Sequence, residues 1–363
     1  TTLGAVTGTG QALTVGGAGN TTLSGGMNTS TNGTLTKNGA GTLTLAAAGD
    51  YTGATTVNAG VVDVQANAGL GTAAGATTVA SGATVGFSGG IAYNATETIV
   101  LTGTGAAGRA GALDNISGSN SFAGILTLVG GGNSPIGATA GSLTHSGNSV
   151  GASDLTYNPA ALTTITESGV ISGIGTNVIK NGAGTLTLSG ANTYDGGTGV
   201  TAGVVNLRNA TAAGSGTVAV TSGAAVQVQG GITVANALTL NGTGVSSDGA
   251  LRSISGANTW SGAITQGSTS RINTDAGTLA LTGGIANGGF LLTVGGLGNT
   301  AITTTALSGA GGLTKDGDGT LTLGFANSYA GATSITAGTV IAAANSALGA
   351  TTGTTTVASG ATV

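Results

Sequence analysis

A nine-residue phrase written three times limits what this chain can fold into. It reads Lys37-Asn-Gly-Ala-Gly-Thr-Leu-Thr-Leu45, then Lys180-Asn-Gly-Ala-Gly-Thr-Leu-Thr-Leu188, then Lys315-Asp-Gly-Asp-Gly-Thr-Leu-Thr-Leu323. Near-identity over steps of about 140 residues is the mark of an array. The first half of the phrase is a turn, because glycine takes positive φ freely and Asn forms local side-chain turns. The second half alternates with a period of two. It reads as a strand that points Leu43, Leu45, Leu186 and Leu321 inward and Thr42 and Thr44 outward. One turn and one short strand cannot shelter their own leucines, so a neighbouring unit has to cover them, as in a solenoid.

A second phrase keeps step with the first. It is centred on Tyr51, Phe122, Tyr194, Trp260 and Tyr329, as in Gly190-Ala-Asn-Thr-Tyr194-Asp-Gly196 and Gly256-Ala-Asn-Thr-Trp260-Ser-Gly262. These aromatics lie roughly 70 residues apart, room for about three coils of about 23 residues. That spacing separates the five rings unless other side chains fill the gaps. Helix is not expected, because Gly interrupts nearly every run and no window carries the helical spacing of apolar residues.

Taken together, Gly-x-Gly-Thr-Leu-Thr-Leu-x-Gly-x-Asn-x-Tyr-x-Gly-x-Thr-x-Val-x-Ala-Gly resembles the autotransporter-associated β-strand repeat, also called the passenger-associated transport repeat. Residues 180–205, 315–340 and 37–62 carry the resemblance. Residues 111–129 and 249–266 match it more weakly, lacking the Lys-led turn and the Thr-Leu-Thr-Leu strand. The resemblance implies an all-β chain, a right-handed parallel β-helix (β-solenoid) of roughly 16 coils with no separate globular domain. It also fits the absence of cysteine, since a disulfide formed before export would hinder threading through a narrow pore.

On this reading residues 1–363 form one continuous solenoid segment. Residues 1–36 are the tail of a preceding double unit, 37–179 and 180–314 are double units, and 315–363 open a third. The last nine residues repeat the string that runs from Thr77 to Val85. The chain thus reads as a segment of a longer array, with its export signal and translocator barrel outside it.

Composition narrows the classes further. Charged residues make up 5% of the chain, 74 of 363 residues are Gly, and the net charge is −4. Sparse charge argues against charge-driven disorder, and the glycines bracket strands instead of forming runs. No basic stripe exists, so nucleic acid is not an expected partner. No run approaches the roughly 18 apolar residues of a spanning helix, so this segment is not expected to insert in a membrane.

Candidate chemistry is thin. His145 is the only histidine, and with no Cys to join it it reads as a solvated loop residue, not a metal ligand. Only Asp316 and Asp318 sit close together among the acids, in a turn, which favours solvated carboxylates over a Ca²⁺ site or a glycosidase pair. No nucleophile elbow is present, and no helix follows the Gly-rich strings to hold a phosphate. Catalytic, cofactor and metal residues are therefore expected to be none, and the chain is not expected to be an enzyme. Lys37, Lys180 and Lys315 read as solvent-facing turn residues that discourage sideways strand pairing. A polysaccharide or carboxylate contact recurring along the rod is the sharper alternative. Outward Thr pairs such as Thr42/Thr44 and Thr185/Thr187 suggest an ice-binding face, which needs such pairs on consecutive coils about 4.8 Å apart. In the sequence the cleanest pairs recur only once per double unit.

The expected role is an extracellular, cell-surface stalk or passenger segment that supports adhesion or display. Two alternatives stand beside it: a subunit of a self-assembling filament or sheath, through end-to-end or lateral association, and an adhesin that binds a host surface or polysaccharide through the solenoid flank.

Overall fold

The computed structural model describes residues 1–130 and 133–363. They form two compact units, Thr1–Gly196 and Gly197–Val363. Each is a β-solenoid of parallel stacked coils, about 16 turns in all. Helix among the described residues is confined to one 3-10 turn at Val245–Ser247.

In the first unit one ladder runs from Thr2–Leu3 through Thr21–Leu23, Thr42–Leu45, Gly60–Val64, Ala83–Phe87, Leu113–Asn115, Ser134–Ala138 and Leu155–Pro159 to Val178–Lys180. A second runs from Ala12–Val15 through Thr34–Lys37, Thr55–Val57, Thr77–Val79, Thr98–Leu101, Ile125–Leu128 and Ser149–Gly151 to Ile171–Ser172. A third joins Ala92–Tyr93, Ser119–Phe122, Ser142–His145, Thr164–Glu167 and Thr185–Leu188. Every pairing is parallel, so each coil satisfies the backbone groups of the next.

One coil is longer than its neighbours. Val85 pairs with Leu113, and the third ladder opens between them at Ala92–Tyr93. This extra face displaces the repeated phrase. Lys37 and Thr42–Leu45 lie in the second and first ladders, whereas Lys180 and Thr185–Leu188 lie in the first and third. The two copies therefore mark different faces, so a contact recurring at Lys37 and Lys180 along the rod would not follow a single face.

The second unit repeats the plan. A six-stranded parallel sheet stacks Thr233–Val234, Ala257–Trp260, Thr278–Leu281, Asn299–Ile302, Thr320–Leu323 and Thr339–Ala342. The eleven-residue strand Ile264–Thr274 covers two faces. Its start pairs with Leu238–Gly242 and Ile285–Ala286, and its end with Leu251–Ser255 and Leu292–Gly295.

Inside both units the parity of the strands decides burial. Leu43, Leu186 and Leu321 are fully buried, as are Tyr51, Phe122, Tyr194, Trp260 and Tyr329. Thr42, Thr44, Thr185, Thr320 and Thr322 stay half-exposed, while Thr187 is buried. Removing a leucine of this kind from water stabilises the fold by about 1.5–3 kcal/mol.

Glycine abundance has a stacking cause. Gly124, Gly147, Gly169 and Gly190 follow the third ladder's strands on consecutive coils. A Cβ on Gly147, Gly169 or Gly190 would lie well inside contact distance of the carbonyl oxygen of the glycine one coil back. The obstacle is backbone, which cannot swing aside. Gly147→Ala is therefore expected to lower stability by about 1–3 kcal/mol, read as a shift of the urea midpoint. A variant as stable as the parent would show that the corner has slack.

Candidate functional site

The three repeat lysines are not surface residues. Lys37, Lys180 and Lys315 are at most 2% exposed, which overturns the solvent-facing expectation. Each ends a strand at an inward position. Lys37 stands in register between Val15 and Val57, Lys315 between Val294 and Ile335, and Lys180 beside Tyr157. The apolar stem fills the column, and the ammonium turns to the carbonyls of the glycine turn that follows. Lys37 Nζ donates to Gly39 O and, at 3.1 Å, to Ala59 O one coil on. Lys180 Nζ donates to Gly182 O. Lys315 Nζ donates to Asp316 O (2.8 Å), Gly317 O (2.6 Å) and Ala337 O (3.3 Å). Lys37 and Lys315 thus pin the turn of one coil to the turn of the next. Burial pushes the ammonium below its ordinary value in Lys37 and Lys315, and to about 8 in Lys180.

The aromatic phrase performs a second tie that depends on a residue the sequence reading passed over. In four of its five copies an Asn two positions before the ring is buried and reaches one coil back, Gly49 holding that place before Tyr51. Asn192 Oδ1 accepts from Ile171 N at 2.8 Å, and Asn327 Oδ1 from Leu307 N at 2.7 Å. Asn120 Oδ1 accepts from Ile91 N at 2.7 Å, and Asn258 Oδ1 from Gly231 N at 2.9 Å. The offset shared by Phe122, Tyr194, Trp260 and Tyr329 is the signal in the sequence. The rings differ in what they bond. Tyr51 and Tyr329 share hydroxyl bonds with Thr55 and Thr333, at 2.7 and 2.6 Å, and Trp260 Nε1 donates to Asn236 O at 3.0 Å.

Two further expectations change. His145 is no loop residue: it ends the strand Ser142–His145, is wholly buried, and lies 2.7 Å from Glu167 Oε2. Asp316 is not simply solvated. It holds Arg271 through two bonds of 2.6 and 2.9 Å that pass over Gly295, where any Cβ would collide with both side chains. Asp318 is exposed. Among the described residues no group of three or more His, Cys, Asp or Glu could hold a metal ion, and no helix is long and apolar enough to cross a membrane.

What the outside of the first unit offers is hydroxyl. On the third ladder Ser119, Ser142, Thr164 and Thr185 form one outward column, and Ser121, Thr144 and Thr166 form another, continued in register by the buried Thr187. Accessible pairs fall on three consecutive coils, which the sequence alone did not establish. Spacing along a column is about 4.8 Å, and between columns about 6.6 Å. None of the eight is charged or aromatic. The second ladder adds Thr14, Thr36, Thr56 and Thr78 on four consecutive coils.

Lys37→Met keeps the stem and removes the ammonium, so it is expected to cost about 1–3 kcal/mol by leaving turn carbonyls unpartnered. Lys37→Ala should cost more, because packing against Val15 and Val57 goes too. Urea denaturation of both variants checks the order. A neutral or stabilising Met would show that the ammonium contributes nothing to the coil-to-coil tie.

Comparison with known proteins agrees with this architecture. The passenger-associated-transport-repeat family matches residues 35–64, 178–207 and 313–342. Each match takes in one lysine, its glycine turn and the strand that covers it on the next coil. The chain is similar to the adhesin BmaC autotransporter of Brucella suis biovar 1 (strain 1330), with 31% identity over 210 residues, 54% of this chain. That stretch spans about 5% of the relative's length. No solved structure matches. The chain is thus a β-solenoid in which three segments match the passenger-associated-transport-repeat family, each built on a buried lysine.

Proposed function

We propose that this chain is part of an extracellular, surface-exposed passenger, a stalk whose hydroxyl-lined flank adheres to a host or environmental polysaccharide. Its work is mechanical and adhesive, not catalytic. The repeat matches and the adhesin relative support the passenger role. The observation that carries the adhesive role is the Ser/Thr grid, paired and accessible on three consecutive coils of the first unit. Regular hydroxyls on a rigid sheet can donate and accept together, and each lost partner on a sugar leaves a polar group unmatched. The absence of charge on the grid points to a neutral glycan.

Lateral self-association is a second reading, favoured by one coil. Leu162 is fully exposed while held at φ 65°, and Ile174 on the same coil is 91% exposed. A leucine in that conformation is costly, and both side chains are available to a second copy.

The two readings separate in solution. Saturable binding on a glycan array is expected for the full chain. Thr144→Val with Thr166→Val should weaken it at least tenfold, at unchanged urea midpoint. Binding indifferent to that double variant, or no glycan bound at all, would sink the adhesive assignment. Inhibition of ice recrystallisation by the same protein would reassign the grid to ordered water. Concentration-dependent fibres abolished by Leu162→Ser with Ile174→Ser would favour self-association.

A further inference from the structure

The interior of the first unit holds ionisable groups in a column that is otherwise apolar. Tyr93, Phe122, His145 and Glu167 occupy one register position on consecutive coils. Phe122 stacks on His145 with centroids 5.4 Å apart and planes 15° apart, and the rings of Phe87 and Tyr93 lie against Phe122 at 5.6 and 5.8 Å. His145 Nδ1 is 2.7 Å from Glu167 Oε2, and Nε2 is 2.9 Å from Gly124 O. Both partners are acceptors, and only an imidazolium can donate from both nitrogens.

Glu97 sits at the other end of this column, fully buried. Its oxygens are bonded by the Thr77 hydroxyl and, at 2.8 Å, by the Tyr93 hydroxyl. The titratable groups facing it are Tyr93 and Tyr51, and no Lys, Arg or His among the described residues pairs with it. A buried carboxyl without a cation is held neutral. Around the other pair, Tyr157 faces Glu167 and Tyr194 faces Tyr157.

We propose that this column is a proton-linked clasp: the first unit takes up protons at Glu97 and His145 as it folds, so its coils are tightest in mild acid and loosen as pH rises through neutrality. Burial raises the Glu97 carboxyl to about 7, outweighing its two hydroxyl bonds. Burial alone would lower His145, but the Glu167 carboxylate and the Gly124 carbonyl together outweigh it and leave the imidazole above its ordinary value. Both folded values exceed the unfolded ones. The Glu97 contribution is therefore complete below about 4.5 and lost as pH passes about 7. The His145 contribution is complete below 6.5 and lost as pH passes its folded value.

The single histidine gives one Cε1 proton resonance, assignable without a variant. In the full chain that resonance is expected to remain at its imidazolium position at pH 7. The urea midpoint should fall from pH 5 to pH 8. Hydrogen exchange should quicken first in peptides spanning residues 92–101 and 142–167, before those spanning 251–302. Glu97→Gln should flatten the fall between pH 4.5 and 7, a change of roughly a hundredfold in the folded-to-unfolded ratio. A neutral imidazole at pH 6, or a parent midpoint that holds or rises from pH 5 to pH 8, would overturn the clasp. So would a Glu97→Gln variant that folds and keeps the parent slope. If that variant does not fold, the parent resonance and exchange order still decide.

Discussion

Parallel pairing of each coil with the next is the constraint on which the rest of this protein depends. A strand of three to five residues makes few contacts of its own, and its backbone groups are satisfied only by the coils above and below. That demand sets the sequence. Residues at one parity must be apolar or carry their own polar partners, because they face an interior only a few side chains wide. Corners must be glycine where one backbone rests on another, as at Gly124, Gly147, Gly169 and Gly190. The same demand leaves the outward parity free, and there the chain places Ser and Thr.

The polar groups that enter the interior do so as ties between coils. Lys37 and Lys315 send an ammonium to carbonyls of two successive turns, and Asn120, Asn192, Asn258 and Asn327 accept a backbone N–H from the coil before. An apolar core specifies stacking but tolerates slippage, since one Leu–Val column resembles another. A buried donor whose acceptors exist at one place fixes the register, because any shift strands a polar group in a dry interior. This gives a physical reason for the repeated phrase to begin with lysine: it marks register, not surface. The lowered ammonium values show that the tie is bought against desolvation.

Much of this was legible in the residues, and the misreadings share one cause. The Thr-Leu-Thr-Leu strands, the inward leucines and the buried aromatics follow directly from period-two alternation. The Asn and Gly that follow Lys37 mark a turn and on pattern alone draw the lysine into it. Yet Leu35 and Lys37 have the same parity, as do Val178 and Lys180, and Leu313 and Lys315. His145 shares parity with Leu143, and Glu167 with Ile165, each between hydroxyl residues. Parity places a side chain whatever its charge, so a charged residue at an inward position lies inside. Two features lay beyond sequence pattern. The displacement of the phrase to another face comes from one long coil between Val85 and Leu113. The hydroxyl grid joins Ser-Asn-Ser, Ser-Leu-Thr, Thr-Ile-Thr and Thr-Leu-Thr, strings whose kinship appears only once their coils are aligned.

In-register parallel stacking is tested most directly by engineered cross-linking, for which a chain without cysteine is a clean background. Thr144 and Thr166 are register partners on adjacent coils, while Ile165 points to the opposite face. Neighbouring strands place paired residues about 4.8 Å apart, within reach of a disulfide. Under mild oxidation Thr144→Cys with Thr166→Cys should form an intramolecular disulfide in high yield, and Thr144→Cys with Ile165→Cys should not. Equal yields from the two pairs, or no cross-link in the first, would contradict the coil-on-coil register from which the burial, the ties and the hydroxyl grid all follow.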